Sequence, residues 1–484
     1  MGDQANDYDL IVVGGGGAGL SGAVTAAEAG LKVLVLEAEG KLGGSTGHSE
    51  GVFNAADSSV QRAIGLTDSI EAYYDHYMTL NAWRLQAPLI RRFCEEATPT
   101  LEWLISLGVR YEPQVTKKPK GAVYPVAAPG SGVYAAGTEY PPRGHRPVGS
   151  GQAYIDALSG RASALGVEII LNTRVQTLLM EADAVVGVEF AGERLRSGAV
   201  LLACGGFAQD RDLLREYLPE IFESAKAGDP IFIYAAPGHR GDAIRMGLQA
   251  GAQIYGKDFG LLSERPRICK MNRAVYGGGG CQPTSLIYVN RRGRRFFDET
   301  APYSVTSGLM RGQDYAVWGV FDEATRLRSD PEGKPPGWSP QFIADCVAAG
   351  DFTAAANLAG LAETLGMEPA VLEGSVRQYN KDLPTGRDSV FGRNLADLFP
   401  ISEPPFYAFE YRLDAVVLTG AGPRIDPDAH VLDEAGEVIP GLFAAGESGA
   451  GVLGERYVGG GNSVANALTM GRVAAKTIAR EKAA

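Results

Sequence analysis

The sequence predicts an α/β fold: a parallel sheet flanked by helices, with a separate α+β cap domain inserted late in the chain. Three observations predict it. Short apolar runs that stop on a glycine or an acid alternate with alanine-rich helical stretches, the pattern of fully buried parallel strands and their crossovers. The 64 glycines among 484 residues follow no repeat but cluster at turns 14–19, 43–47, 277–280 and 459–461, where backbone can approach a bound molecule. The composition then changes after about residue 257, where strands, a basic turn and short helices replace the alternation.

The elements follow in order. Asp9–Val13 reads as a buried strand and runs directly into Gly14–Gly19, which fits GxGxxG with Gly14, Gly16 and Gly19 at its key places. A helix, Leu20–Ala29, is closed by Gly30, and a second strand, Lys32–Leu36, ends on Glu37. Strand, glycines, helix, strand and acid in that order make a Rossmann-like dinucleotide site. Glycines admit the pyrophosphate, the helix start offers free N–H groups, and Glu37 accepts from ribose hydroxyls. The next segment, Gly43, Gly44, Ser45 and Thr46 through Ser49, Gly51 and Asn54, is small and polar enough to lie along a flavin. Helices are expected over 70–107, with Trp103 in the core and Gly108 as a stop, and a long loop over 109–148. Helix 151–164, strand 167–171, a hairpin around Val175, Leu178 and Met180, and the strand Val200–Phe207 resume the sheet. A helix then starts near Arg240, with Asp242 in its first turn, where an acid suits the dipole. Residues 258–400 form the expected cap, and Pro400–Pro405 is expected to return the chain to the first sheet. The domain reading is 1–257 and 401–484 for the nucleotide domain and 258–400 for the cap.

Composition excludes several classes. Apolar content of 45% and charged content of 21% are those of a globular protein, and a net charge of -12 without a Lys/Arg block argues against nucleic acid or anionic membrane. Five scattered cysteines form no CxxC pair and read as free thiols of a reducing compartment. The histidines have no ligand spacing, so no metal is expected. With no signal-like N-terminus and no apolar run of about 20 residues, the expected location is cytoplasmic.

Near the end of the chain, Val438–Glu447 (VIPGLFAAGE) reads as turn, buried strand, glycine and acid. There the likeness to FAD-dependent enzymes becomes specific, because many of them bring such a strand back to the flavin's ribityl chain. The order of Gly14–Glu37, Gly43–Asn54, Ala203–Phe207, Val289–Phe296 (VNRRGRRF) and Gly441–Arg472 resembles the fumarate reductase and succinate dehydrogenase flavoprotein superfamily. The resemblance implies FAD contacts at Val175, Gly205, Asp242, Glu447, Asn462, Ser463 and Val464, besides the residues already named. Ser45 stands where succinate dehydrogenases attach FAD through histidine, which implies noncovalent FAD. Gln282 stands where fumarate reductases place their arginine acid, and glutamine cannot deliver a proton.

Within the superfamily, Tyr457-Val458-Gly459-Gly460-Gly461 is similar to the carbonyl-binding motif of ketosteroid dehydrogenases. Tyr303, after RFFDETAP, matches their basic tyrosine. The resemblance implies desaturation of a cyclic or steroid-like ketone. Tyr457 hydroxyl and Gly461 N–H would hold the carbonyl oxygen, and Tyr303 would take the α-proton. Arg456 is either a solvent-facing arginine or a clamp for a substrate carboxylate. Two further readings stay open: a small-dicarboxylate dehydrogenase or reductase using Arg456, and a flavoprotein subunit of an electron-transfer assembly. The electron acceptor (oxygen, quinone or protein) is not readable from the sequence.

Overall fold

The computed structural model describes residues 7–112, 141–225, 229–268, 285–301, 303–329, 338–396 and 398–484, the side chains of 303–305 excepted. Its larger sheet has the strand order His430–Leu432, Val438–Ala444, Glu193–Leu202, Tyr8–Val13, Val33–Leu36 and Glu168–Ile170. All neighbouring pairs are parallel except the first. The hairpin Thr177–Glu181 and Ala184–Phe190 extends the sheet antiparallel through Glu193–Leu202. The central strands show no alternation of apolar and polar residues, as expected of strands covered on both faces: Leu10, Ile11, Val12, Leu34 and Val35 are all fully buried.

The first helix, Gly17–Glu28, packs on the C-terminal helix, Asn462–Ala483. Small residues permit this approach. A Cβ on Gly471 would stand 2.1 Å from the Ala18 carbonyl oxygen, so only glycine fits there. The helices expected over 70–107 are Ile70–Leu80 and Ala87–Ser106, the second running through Pro99. Trp103 on that helix is half-buried and packs against the core from its edge. Most of the loop expected over 109–148 lies outside the described residues.

The second sheet has six strands and is antiparallel apart from one short edge pairing. Gly260–Pro266, Phe406–Thr419, Val317–Asp322 and Ile287–Asn290 lie in that order, with Phe352–Ala355 and Phe232–Ile233 also on Phe406–Thr419. This corrects one expectation. After Pro405 the chain adds a fourteen-residue strand to the cap sheet, and re-enters the large sheet only at His430–Ala444. Burial explains the misreading, since Phe406–Thr419 is nearly all buried and an apolar run does not say which sheet will cover it. No described helix is long and apolar enough to cross a membrane.

Candidate active site: a nucleotide cavity meeting a second hollow at Tyr457

The carboxyl ends of the parallel strands open onto a cavity of about 530 Å³. Position follows from topology, because a ligand binds beyond the strand ends of an open α/β sheet. The cavity wall includes Gly14, Gly16, Glu37, Gly44, Ser45, Thr46, Ser49 and Gly51 from the first part of the chain. Val175, Gly205 and Asp242 follow from the middle, and Glu447, Ser463 and Val464 from the end. Two expected contacts lie elsewhere. Gly19 serves packing instead: a Cβ there would lie 1.8 Å from the Gly14 carbonyl oxygen. Asn462 is buried with its amide engaged by Tyr73 and Tyr77, accepting from one hydroxyl at 3.2 Å and donating to the other at 2.8 Å.

Glu37 has a double task. Its carboxylate accepts from the Gly15 N–H at 2.6 Å and from the Glu39 N–H at 2.7 Å, fixing the loops on both sides. Both oxygens retain acceptor capacity for a ligand hydroxyl. The cavity suits FAD on a second count. Asp242 Oδ2 pairs with Arg174 at 2.7 Å, while Oδ1 is buried with no partner among the described residues. A buried carboxylate oxygen left this way calls for a donor from a ligand or water, and Arg174 also lines the cavity.

Among the residues around this cavity that escaped the sequence reading are Arg174, His239 and Thr419. Ser45 Oγ accepts from the Ala236 N–H at 2.9 Å and lies 3.0 Å from His239 Nε2. His239 Nδ1 lies 3.2 Å from the Gly206 N–H, which donates to it and so assigns the ring proton to Nε2. Glu447 accepts from the Thr419 N–H and hydroxyl, each at 3.2 Å. The loop Gly238–Asp242 held the one available signal, a histidine three residues before the acid already chosen. Nothing local marks Thr419 at the end of a cap strand.

A second, smaller hollow of about 50 Å³ adjoins the cap. Gly260–Leu262 of a cap strand, Ser307, Gly308 and Arg311 of the helix Tyr303–Arg311, and Glu455–Tyr457 wall it. Tyr457 borders both spaces. Its hydroxyl accepts from the Ser463 N–H at 2.9 Å, at the start of the C-terminal helix. Burial pushes its pKa up to about 12, against the opposing pull of the Ser463 N–H. It is therefore a donor at neutral pH, not a base. Gly461, the residue before that helix, has φ +101, and a Cβ would stand 2.7 Å from the Val52 carbonyl oxygen.

Asn81 holds the backbone of Arg456 on both sides, accepting from its N–H at 3.0 Å and donating to its carbonyl at 3.1 Å. Of the acids that line this hollow, Glu455 pairs with Arg84 and Glu220 with Arg311, while Asp258 has no ion pair among the described residues. Arg456 itself is exposed and makes no ion pair among the described residues. Tyr303 opens the helix one turn before Ser307, and its side chain lies outside the described residues, as does Gln282.

Strand ends, glycine loop, acids and a tyrosine-bordered second space together define a dinucleotide-dependent redox enzyme. Residues 9–464 match the FAD binding domain family, and the chain belongs to it. The protein is an FAD-dependent oxidoreductase. It is 29% identical over 482 residues to a vinyl phenol reductase of Lactiplantibacillus plantarum, covering 93% of this chain and 92% of that protein. It is 28% identical to an NADH:fumarate oxidoreductase of Klebsiella pneumoniae, matching 98% of this chain but only 48% of that protein's length. Among solved structures, it superposes on the 3-ketosteroid-delta4-(5alpha)-dehydrogenase of Rhodococcus jostii RHA1, determined with 4-androstene-3,17-dione, with a TM-score of 0.80. That match has 26% identity and covers 99% of this chain and 98% of the other.

Proposed function

We propose that the protein desaturates a cyclic or steroid-like ketone at its α,β bond, using noncovalently held FAD. One observation supports this above the others: Tyr457 is fixed at a helix N-terminus on the border between the nucleotide cavity and the second hollow. When bound, FAD supplies the two-electron acceptor for the β-hydrogen. The ketone oxygen would accept from the Tyr457 hydroxyl and the Gly461 N–H, with the positive end of the helix Asn462–Ala483 behind them. That arrangement makes the α-proton acidic by stabilising the enolate oxygen. Tyr303 is assigned as the base on the family resemblance and on its place at the start of a wall helix. Ser45, engaged by Ala236 and His239, offers no nitrogen for covalent attachment.

Arg456 favours a second reading. An exposed guanidinium at the hollow, making no ion pair among the described residues, suits a substrate carboxylate. The reaction would then act on a dicarboxylate or keto acid, in either direction across the carbon–carbon bond. Anaerobic mixing with a panel of cyclic ketones and dicarboxylates separates the two by flavin bleaching. Bleaching by ketones that lack a carboxylate supports the first reading. Bleaching confined to carboxylates, or reoxidation of the reduced protein only by unsaturated acids, replaces it with the second. Acid precipitation should leave a yellow supernatant; yellow protein in the pellet would overturn noncovalent attachment.

A further inference from the structure

Tyr457 borders two spaces, and an apolar partition stands beside it. Leu261 lines the hollow and Leu418 lines the nucleotide cavity. The two leucines are cross-strand partners in Gly260–Pro266 and Phe406–Thr419. With Leu453 and Tyr457 they form a small buried cluster of their own, apart from the cap core. The strand pairing explains how they come there. The register shifts between Leu261 and Leu262, which leaves Val417 as an extra residue. Leu262 and Val416 therefore pack into the cap core, while Leu261 and Leu418 meet at Tyr457. Gly260, with φ +151, lets the strands close up at this point: a Cβ there would stand 2.9 Å from the Leu418 carbonyl oxygen.

We propose that Leu261 and Leu418 are specificity-determining residues that restrict the substrate to a ketone of a single ring. The proposal rests on the ketone reading and narrows it from cyclic or steroid-like ketones to the smaller class. Size and polarity both favour this restriction.

Size comes first. Gly461, whose N–H is assigned to the carbonyl oxygen, lines the nucleotide cavity and not the hollow. The reacting ring then lies on the cavity side of the leucines. Past them, among the described residues, is the hollow of about 50 Å³. An engineered apolar cavity that binds benzene has roughly 150 Å³, so a second ring fused to the first has no room there. Both leucines are held by the sheet and nearly covered, at 9% and 3% exposure. Neither swings aside without disturbing its neighbours.

Polarity acts in the same direction. Beyond the leucines the hollow is walled by Glu220, Asp258, Arg311, Glu455 and Arg456. The fused carbons of a polycyclic skeleton pushed among these groups would displace their water and return no hydrogen bond. The apolar surface beside Tyr457 thus extends over one ring and ends where the charged walls begin.

The test compares cyclohexanone with a saturated 3-ketosteroid, which carries the same ring at its end, by anaerobic stopped-flow reduction of the FAD-loaded protein. Wild type should favour cyclohexanone in kcat/KM by at least about tenfold, since a single methylene of misfit in an apolar pocket is worth about 10–200-fold. Leu261→Ala should raise the steroid value and lower the cyclohexanone value, moving the ratio by about tenfold or more. Leu261→Val and Leu418→Val remove less and should move it the same way by a smaller factor. FAD content and melting temperature are recorded for each variant. A steroid that reduces wild type as well as cyclohexanone does overturns the proposal and leaves the ketone reading standing. So does a ratio that none of the variants moves. Loss of FAD from all three variants also overturns it, because the leucines would then be scaffold. If neither ketone reduces wild type, the ketone reading falls and the proposal falls with it.

Discussion

Tyr457 and Tyr303 can be told apart by rate. Tyr457→Phe removes a donor whose acceptor gains charge towards the transition state, so flavin reduction by ketone should slow by about 10²–10³-fold. If Tyr303 is the base, as proposed, Tyr303→Phe removes only the proton acceptor, so binding should persist while reduction slows by about 10²–10⁴-fold. Anaerobic stopped-flow on the reductive half-reaction measures both, and full rates in both variants would reduce these tyrosines to packing. Glu37→Ala should weaken FAD retention, because it removes the ligand acceptor together with the one group fixing the Gly15 and Glu39 amides; ultrafiltration of dilute protein shows the loss as colour in the filtrate. At this scale the sequence was informative where backbone mattered. Fourteen expected cofactor positions line the cavity, since glycines and small polar residues announce close approach. It was uninformative where a side chain chooses between two directions. Asn462 turns to Tyr73 and Tyr77, nearly four hundred residues away, and His239 turns inward to Gly206 and Ser45, 33 and 194 residues away.

Among the elements, the contact between Gly17–Glu28 and Asn462–Ala483 is the least tolerant. Gly471→Val should cost about 1–3 kcal/mol through overpacking, read as a lower urea midpoint at unchanged slope. The C-terminal helix is also tied to the turn after the cap. His430 lies 2.9 Å from Asp426 and 2.7 Å from Glu481, and these acids, Asp426 foremost, raise it to about 9 against the effect of burial. A raised value means the stabilisation is complete below the ordinary histidine range, near ~6.5, and fades as pH rises through about 9. Thermal melts should fall over that interval in wild type and less in His430→Gln. Elements of the nucleotide half were legible because their strands end on glycine or acid. The first helix begins at Gly17, not Leu20, so its N-terminus reaches into the glycine loop. The strand Phe406–Thr419 was not legible as a cap strand. Its antiparallel partners, Gly260–Pro266, Val317–Asp322 and Phe352–Ala355, lie from about fifty to about 160 residues upstream, and a buried strand's own composition names no partner.

On the scale of the whole molecule, FAD should act as a structural part. A ligand present at about 100 times its dissociation constant stabilises the folded state by about 2.7 kcal/mol. Stripped protein should therefore melt lower and recover with FAD. Recovery with FMN should be weaker if Glu37 and the Gly14–Gly16 loop hold the adenosine half, as their motif implies; equal rescue would mean that half contributes nothing. The cavity wall also joins distant stretches of sequence, from Val13–Val52 through Thr173–Asp242 to Val417–Ala467. Its last wall is set by Val438–Ala444, paired on Glu193–Leu202, and by the helix that follows. A ribosome adds about 5–20 residues per second, so the glycine loop emerges on the order of tens of seconds before the residues that close over the nucleotide. FAD capture should therefore wait for residues 445–467, which complete the cavity wall, and a chain released before Asn462 should accumulate colourless, whatever the state of its first domain.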